Sequence, residues 1–215
     1  MGEMTTSSRP VATLIGDVVR SRKAPDRLAL HERIRAALAA VSARTTPLDS
    51  VHVTVGDEFQ GSYARLGQAI EAAILLRLEL LPDFETRYGI GWGTVSKLDD
   101  TTQDGPAWWT ARDAIEWVAK AEQQPETRFV RTAYRSAEPA EPTTDAVNAA
   151  LLCRDQLIGM WNERSLRIMR GLMSGRTQAE LAISEEISPS AVSQRIRTDG
   201  LGIVLTASGW LADLP

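Results

Sequence analysis

Asp17 and Asp57 are the residues of this 215-residue chain best placed to do chemistry. Each follows a glycine, and each glycine closes a run rich in Val, Ile and Thr, at residues 11–16 and 51–56. Such runs read as buried strands. Two carboxylates at the ends of neighbouring strands can hold a divalent cation, and the cation can hold the phosphates of a nucleotide. Glu58 directly follows Asp57, and Arg20, Arg22 and Lys23 form a basic cluster after Asp17 of the kind a polyphosphate needs nearby. The plainer alternative is a pair of turn-capping aspartates, a solvent-facing Glu58 and a solvated basic turn.

The elements that must position these groups follow from pattern. Residues 11–19 read as a first strand, and Asp26 caps a helix over 27–41 that sets Leu28, Ile34, Leu38 and Val41 on one face. Val51, Val53 and Val55 alternate as a second strand, and Gly56-Asp57 turns into a third at 58–64, completing a hairpin. An apolar helix over 66–81 stops at Pro82. The strand at 86–94 carries Gly89, Gly91 and Gly93 along one face, bare enough for a ligand or for a tightly packed helix. After Gly105-Pro-Ala-Trp-Trp109 comes a helix over 110–123, with Trp108 and Trp109 read as core or dimer-contact aromatics, and then a strand at 129–133. This order predicts an α+β fold, a ferredoxin-like sheet with helices on one face.

A Pro-, Glu- and Thr-rich stretch at 136–146 reads as a linker. It divides a sheet domain at 11–135 from a helical domain at 147–215, and residues 1–10 read as a disordered N-terminus. Helices are expected over 147–162 and 164–173. Two shorter ones follow, at 177–186, with Thr177 and Glu180 at capping-box spacing, and at 190–197. Two short helices joined by a tight turn, the second rich in Ser, Gln and Arg, carry a helix-turn-helix signature. In that reading Thr177 and Gln178 open the supporting helix, while Ser188 and Ser190 meet phosphate at a helix N-terminus. Ser193, Gln194, Arg195 and Arg197 lie on the recognition helix that faces double-stranded DNA. The alternative is a helical packing module that touches no DNA.

A net charge of -4 with 43% hydrophobic and 24% charged residues describes an ordinary globular protein, so any DNA contact must come from a local patch. Cys153 is the single cysteine, which excludes an intramolecular disulfide, fits a reducing compartment and reads as a small core residue. His31 and His52 are too scattered for a zinc site. No apolar run nears the roughly 18 residues that span a bilayer. The N-terminus lacks the apolar core of a signal peptide, so a cytoplasmic protein with no membrane partner is expected.

Several runs match a known arrangement. Leu14-Ile-Gly-Asp17-Val-Val-Arg-Ser21 resembles the first metal motif of class III nucleotidyl cyclases. Val55-Gly-Asp57-Glu58-Phe59 resembles their second, with an echo of GGDEF-type diguanylate cyclases. Arg87-Tyr-Gly-Ile-Gly-Trp-Gly93 falls where those enzymes carry a glycine-bearing strand, and Asp104-Gly105-Pro-Ala-Trp-Trp-Thr-Ala-Arg112 where they carry a loop and helix with transition-state residues. With Gly-Asp-Glu-Phe-Gln-Gly61 the set is most similar to the SatD family, and the C-terminal segment resembles the helix-turn-helix of sigma-factor region four.

The resemblance implies a nucleotidyl-cyclase-like fold over 11–135, Mg2+ or Mn2+ with a nucleotide as ligand, and no other cofactor. It implies Asp17 and Asp57 as metal ligands, Arg20, Arg22, Glu58, Asp104 and Arg112 as nucleotide contacts, and a homodimer through the metal-bearing face. Three positions depart from the cyclase pattern: Val53 stands where a base-selecting lysine is usual, Trp109 replaces an asparagine, and Arg112 lies one position from the catalytic arginine. That combination implies nucleotide binding more than turnover. The expected function is a DNA-binding transcriptional regulator whose cyclase-like domain dimerises and senses a nucleotide with its metal. The alternatives are an active metal-dependent nucleotidyl cyclase and a non-enzymatic interaction module.

Overall fold

The computed structural model of the chain describes residues 9–21, 26–99, 102–138 and 143–215. The expectations placed on residues 1–8, Arg22, Lys23 and 139–142 lie outside the described residues.

Five strands form one sheet in the order β2-β3-β1-β4-β7. The central strand β1 (Val11–Val18) runs antiparallel to β3 (Glu58–Tyr63) on one side and to β4 (Thr86–Gly93) on the other. Outside them lie β2 (Asp49–Val55), antiparallel to β3, and β7 (Thr132–Ser136), parallel to β4. The expected strand at 129–133 thus begins later, because a 3-10 turn at Pro125–Thr127 precedes it. A small ribbon joins β5 (Ser96–Lys97) to β6 (Gln103–Asp104).

Strand alternation sends Ala12, Leu14 and Val18 of β1, with Tyr88 and Ile90 of β4, into a core shared with α1 (Arg27–Thr45) and α2 (Leu66–Leu80). Asp26 caps α1 as expected, its Oδ1 accepting from the Ala29 N–H at 2.9 Å. The opposite sheet face carries α3 (Pro106–Ala121). A Cβ on Gly91 would run into the Ala107 carbonyl oxygen, so the glycine spacing of β4 serves close packing of that helix. Helices therefore lie on both faces of the sheet, a correction to the one-faced arrangement.

Five helices follow: α4 (Thr143–Gly159), α5 (Glu163–Met173), α6 (Gln178–Ser184), α7 (Pro189–Thr198) and α8 (Leu201–Ala212). Their apolar faces do not close on themselves. Leu166, Met169, Leu181, Val192, Leu201 and Val204 share one core with Ile74 and Leu78 of α2. This explains why twelve of the fifteen α2 residues are buried: one side meets the sheet and α1, the other meets the C-terminal helices. A separate helix-turn-helix domain is accordingly not what the packing displays. Cys153 is exposed on α4 rather than part of a core. Among the described residues no helix is long and apolar enough to cross a membrane.

Helix α4 also closes the outer edge of β7. Asn148 accepts from the Tyr134 N–H at 2.9 Å and donates to the Tyr134 carbonyl at 2.8 Å. The Asp155 carboxylate accepts the N–H groups of Arg131 and Thr132 at 2.8 and 2.6 Å and the Arg77 guanidinium at 2.9 Å.

Candidate functional site

Asp17 lies at the end of β1 on the α3 face of the sheet, where the strand register sets it opposite Arg87 of β4. A guanidinium fork matches a carboxylate in two parallel bonds. Here Arg87 Nε reaches Asp17 Oδ1 at 2.8 Å and Nη2 reaches Oδ2 at 2.7 Å. Its third nitrogen donates to Glu122 Oε1 at 3.1 Å, just past the end of α3. Burial by itself would lower the Arg87 pKa, but the hydrogen bonds to Asp17 and the charges of Asp17, Glu122 and Asp57 raise it above its ordinary value.

The second carboxylate arrives through the hairpin. Gly56 takes φ +65, the left-handed backbone that lets the chain reverse there without a Cβ clash. Asp57 Oδ2 then accepts the N–H of Val18 at 3.3 Å, which fixes it beside the residue that follows Asp17. Glu58 points to α3, where Arg112 holds both its oxygens at 2.7 Å. That pairing with Glu58 is the main reason the Arg112 pKa is raised, and the Asp17 charge adds to it. Asp17, Asp57, Glu58, Arg87 and Arg112 thus form one cluster of alternating charge.

The other expected nucleotide contacts are less tightly gathered. Arg20 is exposed in the turn after β1, at φ +58. Asp104 accepts the Trp109 indole N–H at 2.7 Å. Beside Arg112 a cavity of about 340 Å³ is lined by Ile15, Gln60, Gln103, Trp108 and Trp109. Val53, where the resemblance implied a base-selecting lysine, packs against the apolar core shared by α1 and α2.

Two aspartates offer the hard oxygen donors that Mg2+ and Mn2+ prefer, so the donor chemistry fits the expected metal. Among the described residues no group of three His, Cys, Asp or Glu side chains stands ready to hold a metal alone. Phosphate oxygens and water would have to complete the shell. The Arg87 fork is a competitor for Asp17, and Glu122 is the partner that can keep the guanidinium when a cation takes the carboxylate. Arg87 and Glu122 were not visible as site residues in the sequence. The available signal was the antiparallel pairing of two strands, which puts the first residues of one beside the last of the other.

In the C-terminal region the polar groups expected on DNA serve the helices themselves. Thr177 Oγ1 accepts the Glu180 N–H at 3.3 Å while Glu180 returns a bond to the Thr177 N–H at 2.7 Å, so this pair caps α6. Ser188 caps α7 through the Ala191 N–H at 3.2 Å and bonds Ser190 at 2.8 Å. Arg195 turns back to Ser165 at 3.3 Å and Asp199 at 3.4 Å, and Arg197 lies 3.5 Å from Ser193. Gln178 and Gln194 are exposed.

Solved structures similar to this chain include nucleotidyl cyclases. A bacterial light-regulated adenylyl cyclase shares 17% identity over 62% of this chain and 44% of its own, with a TM-score of 0.46. This chain therefore spans less than half the length of that protein. The guanylyl cyclase domain of the RhoGC fusion protein from the aquatic fungus Blastocladiella emersonii, in a monomeric double-mutant form, shares 18% identity over 54% of this chain and 77% of its own, at a TM-score of 0.44. The guanylyl cyclase Cya2 shares 14% over 54% of this chain and 73% of its own, at 0.42. Likeness at this distance carries no residue-level inference. No curated protein matches the sequence.

These findings correct the expectation of a DNA-binding transcriptional regulator. The Ser, Thr and Arg residues that suggested DNA contacts are in large part spent on helix caps and on pairs within the helices, and the helices that carried them share a core with α2. One family match extends over residues 11–214, from β1 through α8, and with it the chain belongs to the SatD family.

Proposed function

We propose that the chain binds a nucleoside triphosphate with Mg2+ or Mn2+ at the Asp17–Asp57 edge and carries out phosphoryl transfer of the nucleotidyl cyclase type. The observation that supports this reading is the Val18 N–H bond to Asp57, which ties the hairpin turn to the residue after Asp17, with Arg87 on Asp17 and Arg112 on Glu58. In such a reaction the ribose 3′-oxygen attacks the α-phosphorus, its bond to the bridging oxygen breaks, pyrophosphate leaves and the hydroxyl proton passes to solvent. The metal, when bound, neutralises phosphate charge as the new bond forms. The chain's own part is positional. Asp17 and Asp57 would fix the ion, Arg87 would pass to Glu122 as the cation takes Asp17, and Arg112 presents a guanidinium toward the phosphates from α3. The nucleotide contacts at Arg20, Arg22, Glu58 and Asp104, and pairing of two copies through this face, belong to the same proposal.

A second reading, binding without turnover, is favoured by one observation: both Asp17 oxygens already face the Arg87 fork, so a cation must displace it. Incubation with ATP or GTP and Mn2+, followed by chromatographic separation, distinguishes the two. A cyclic nucleotide and pyrophosphate, absent with Asp57→Ala, support the first. Metal-dependent binding without product supports the second, and no binding of either nucleotide overturns both.

A further inference from the structure

The two edges of the sheet differ. The edge at β7 is closed by α4, whereas β2 at the other end pairs only with β3, so its outer side has no strand partner among the described residues. Between that free side and α1 runs an open groove of about 670 Å³. One wall is the β2 stretch 50–54, whose pairing with β3 shifts register between Asp49 and His52 and again between Val53 and Val55, and the other is the α1 face bearing His31, Arg35 and Ser42. Among the described residues the Ser42 hydroxyl has no hydrogen-bond partner. Among the same residues no Asp or Glu lines the groove, while Arg35, His31 and His52 supply its ionisable side chains.

We infer that this groove docks an extended, acidic segment of a partner protein, which adds to β2 as a sixth strand. An unpaired strand edge offers N–H and C=O groups in a row, and a helix alongside supplies the side-chain wall of a β-augmentation site. Arg35 then meets carboxylates spaced along one face of the incoming strand. A second copy of this chain is a poor occupant, because two-fold pairing of β2 with β2 brings like-charged grooves together. The groove borders Gly56 but uses neither Asp17 nor Asp57, so it stands apart from the nucleotide site.

The test uses the full chain and a fluorescently labelled, end-capped eight-residue peptide of alternating Thr and Glu, followed by anisotropy. Three comparison probes accompany it: a Lys-for-Glu peptide, a peptide N-methylated at alternate residues and inorganic tripolyphosphate as competitor. The acidic peptide is expected to bind, to weaken about tenfold with Arg35→Glu, and to weaken about as much on N-methylation, as charge-assisted and backbone hydrogen bonds are lost. Amide exchange should slow at residues 50–54 on binding, and Asp57→Ala should leave the affinity unchanged. The inference is overturned if the acidic peptide does not bind, if Arg35→Glu or N-methylation leaves affinity intact, or if tripolyphosphate displaces the peptide while the exchange of residues 50–54 stays as in the free chain. Equal binding of the Lys peptide overturns it as well.

Discussion

The two edges of the sheet show how differently one fold treats the same backbone problem. At β7 the unpaired amides are taken up by side chains of α4: Asn148 mimics a neighbouring strand for Tyr134, and Asp155 accepts from Arg131 and Thr132. The latter also receives Arg77, itself 1% exposed, so the closed edge contains a buried ion pair whose carboxylate also accepts two backbone N–H groups. At β2 nothing comparable exists among the described residues. The side-chain bonds along that strand's groove are local, His52 Nδ1 with the Ser50 carbonyl at 2.9 Å and Thr54 Oγ1 donating to the Glu58 carbonyl at 3.3 Å. A sheet edge left bare beside a basic helix is a surface kept for something else, whereas a closed one is part of the core.

The comparison can be broken most forcefully at the closed edge. Asp155→Ala leaves Arg154 buried without a carboxylate and Arg77 with Glu85 alone, and it strands the amides of Arg131 and Thr132, so unfolding by urea should show a loss of about 3–5 kcal/mol. A loss under about 1 kcal/mol would mean that this edge is not held by its ion pair. Asn148→Ala removes both bonds to the Tyr134 backbone and one to the Thr144 carbonyl, and should cost about 1–3 kcal/mol by the same measurement.

The open side gives smaller effects. Asp49 of β2 accepts from Ser62 Oγ at 2.6 Å and from Gln103 Nε2 at 2.8 Å. Partial burial pushes its carboxyl up, but the hydrogen bonds from Ser62 and Gln103, with the Lys97 charge, bring it net below its ordinary value. A carboxyl lowered in the folded state stabilises at pH above its unfolded pKa of about 3.9, and that contribution is lost as pH falls through the folded value. Melting temperature against pH should therefore fall less steeply below about pH 4 in Asp49→Asn than in the parent chain. Arg35→Glu, on an exposed helix face, should shift stability by no more than about 0.5 kcal/mol. Its effect is reserved for the docking groove.

What the sequence made legible was local. The strand around Leu14 and Ile15, the Asp26 cap, the hairpin at Gly56 and the Thr177–Glu180 box each depend on residues a few positions apart, and each is found in place. The glycines of β4 announced a close approach without saying what approaches; the answer, α3, set helices on the second face. What escaped was long-range. Asp17 meets Arg87 only because two strands pair antiparallel, and Asp155 meets Arg77 across 78 positions of sequence. The DNA reading failed for an instructive reason: Ser and Thr at helix starts signal caps and phosphate contacts alike, and here the caps claim them. Leu181 and Val192, in the stretch read as a separate helical domain, complete a core begun by α2.

The central claim concerns the Asp17–Asp57 edge, and calorimetric titration of ATP and GTP into the chain with Mn2+ tests it most directly. The account predicts saturable binding of at least one nucleotide, abolished by EDTA and by Asp57→Ala, in a variant whose melting temperature stays within a few degrees of the parent. Binding that survives both EDTA and Asp57→Ala, or no binding in the parent chain, would contradict it.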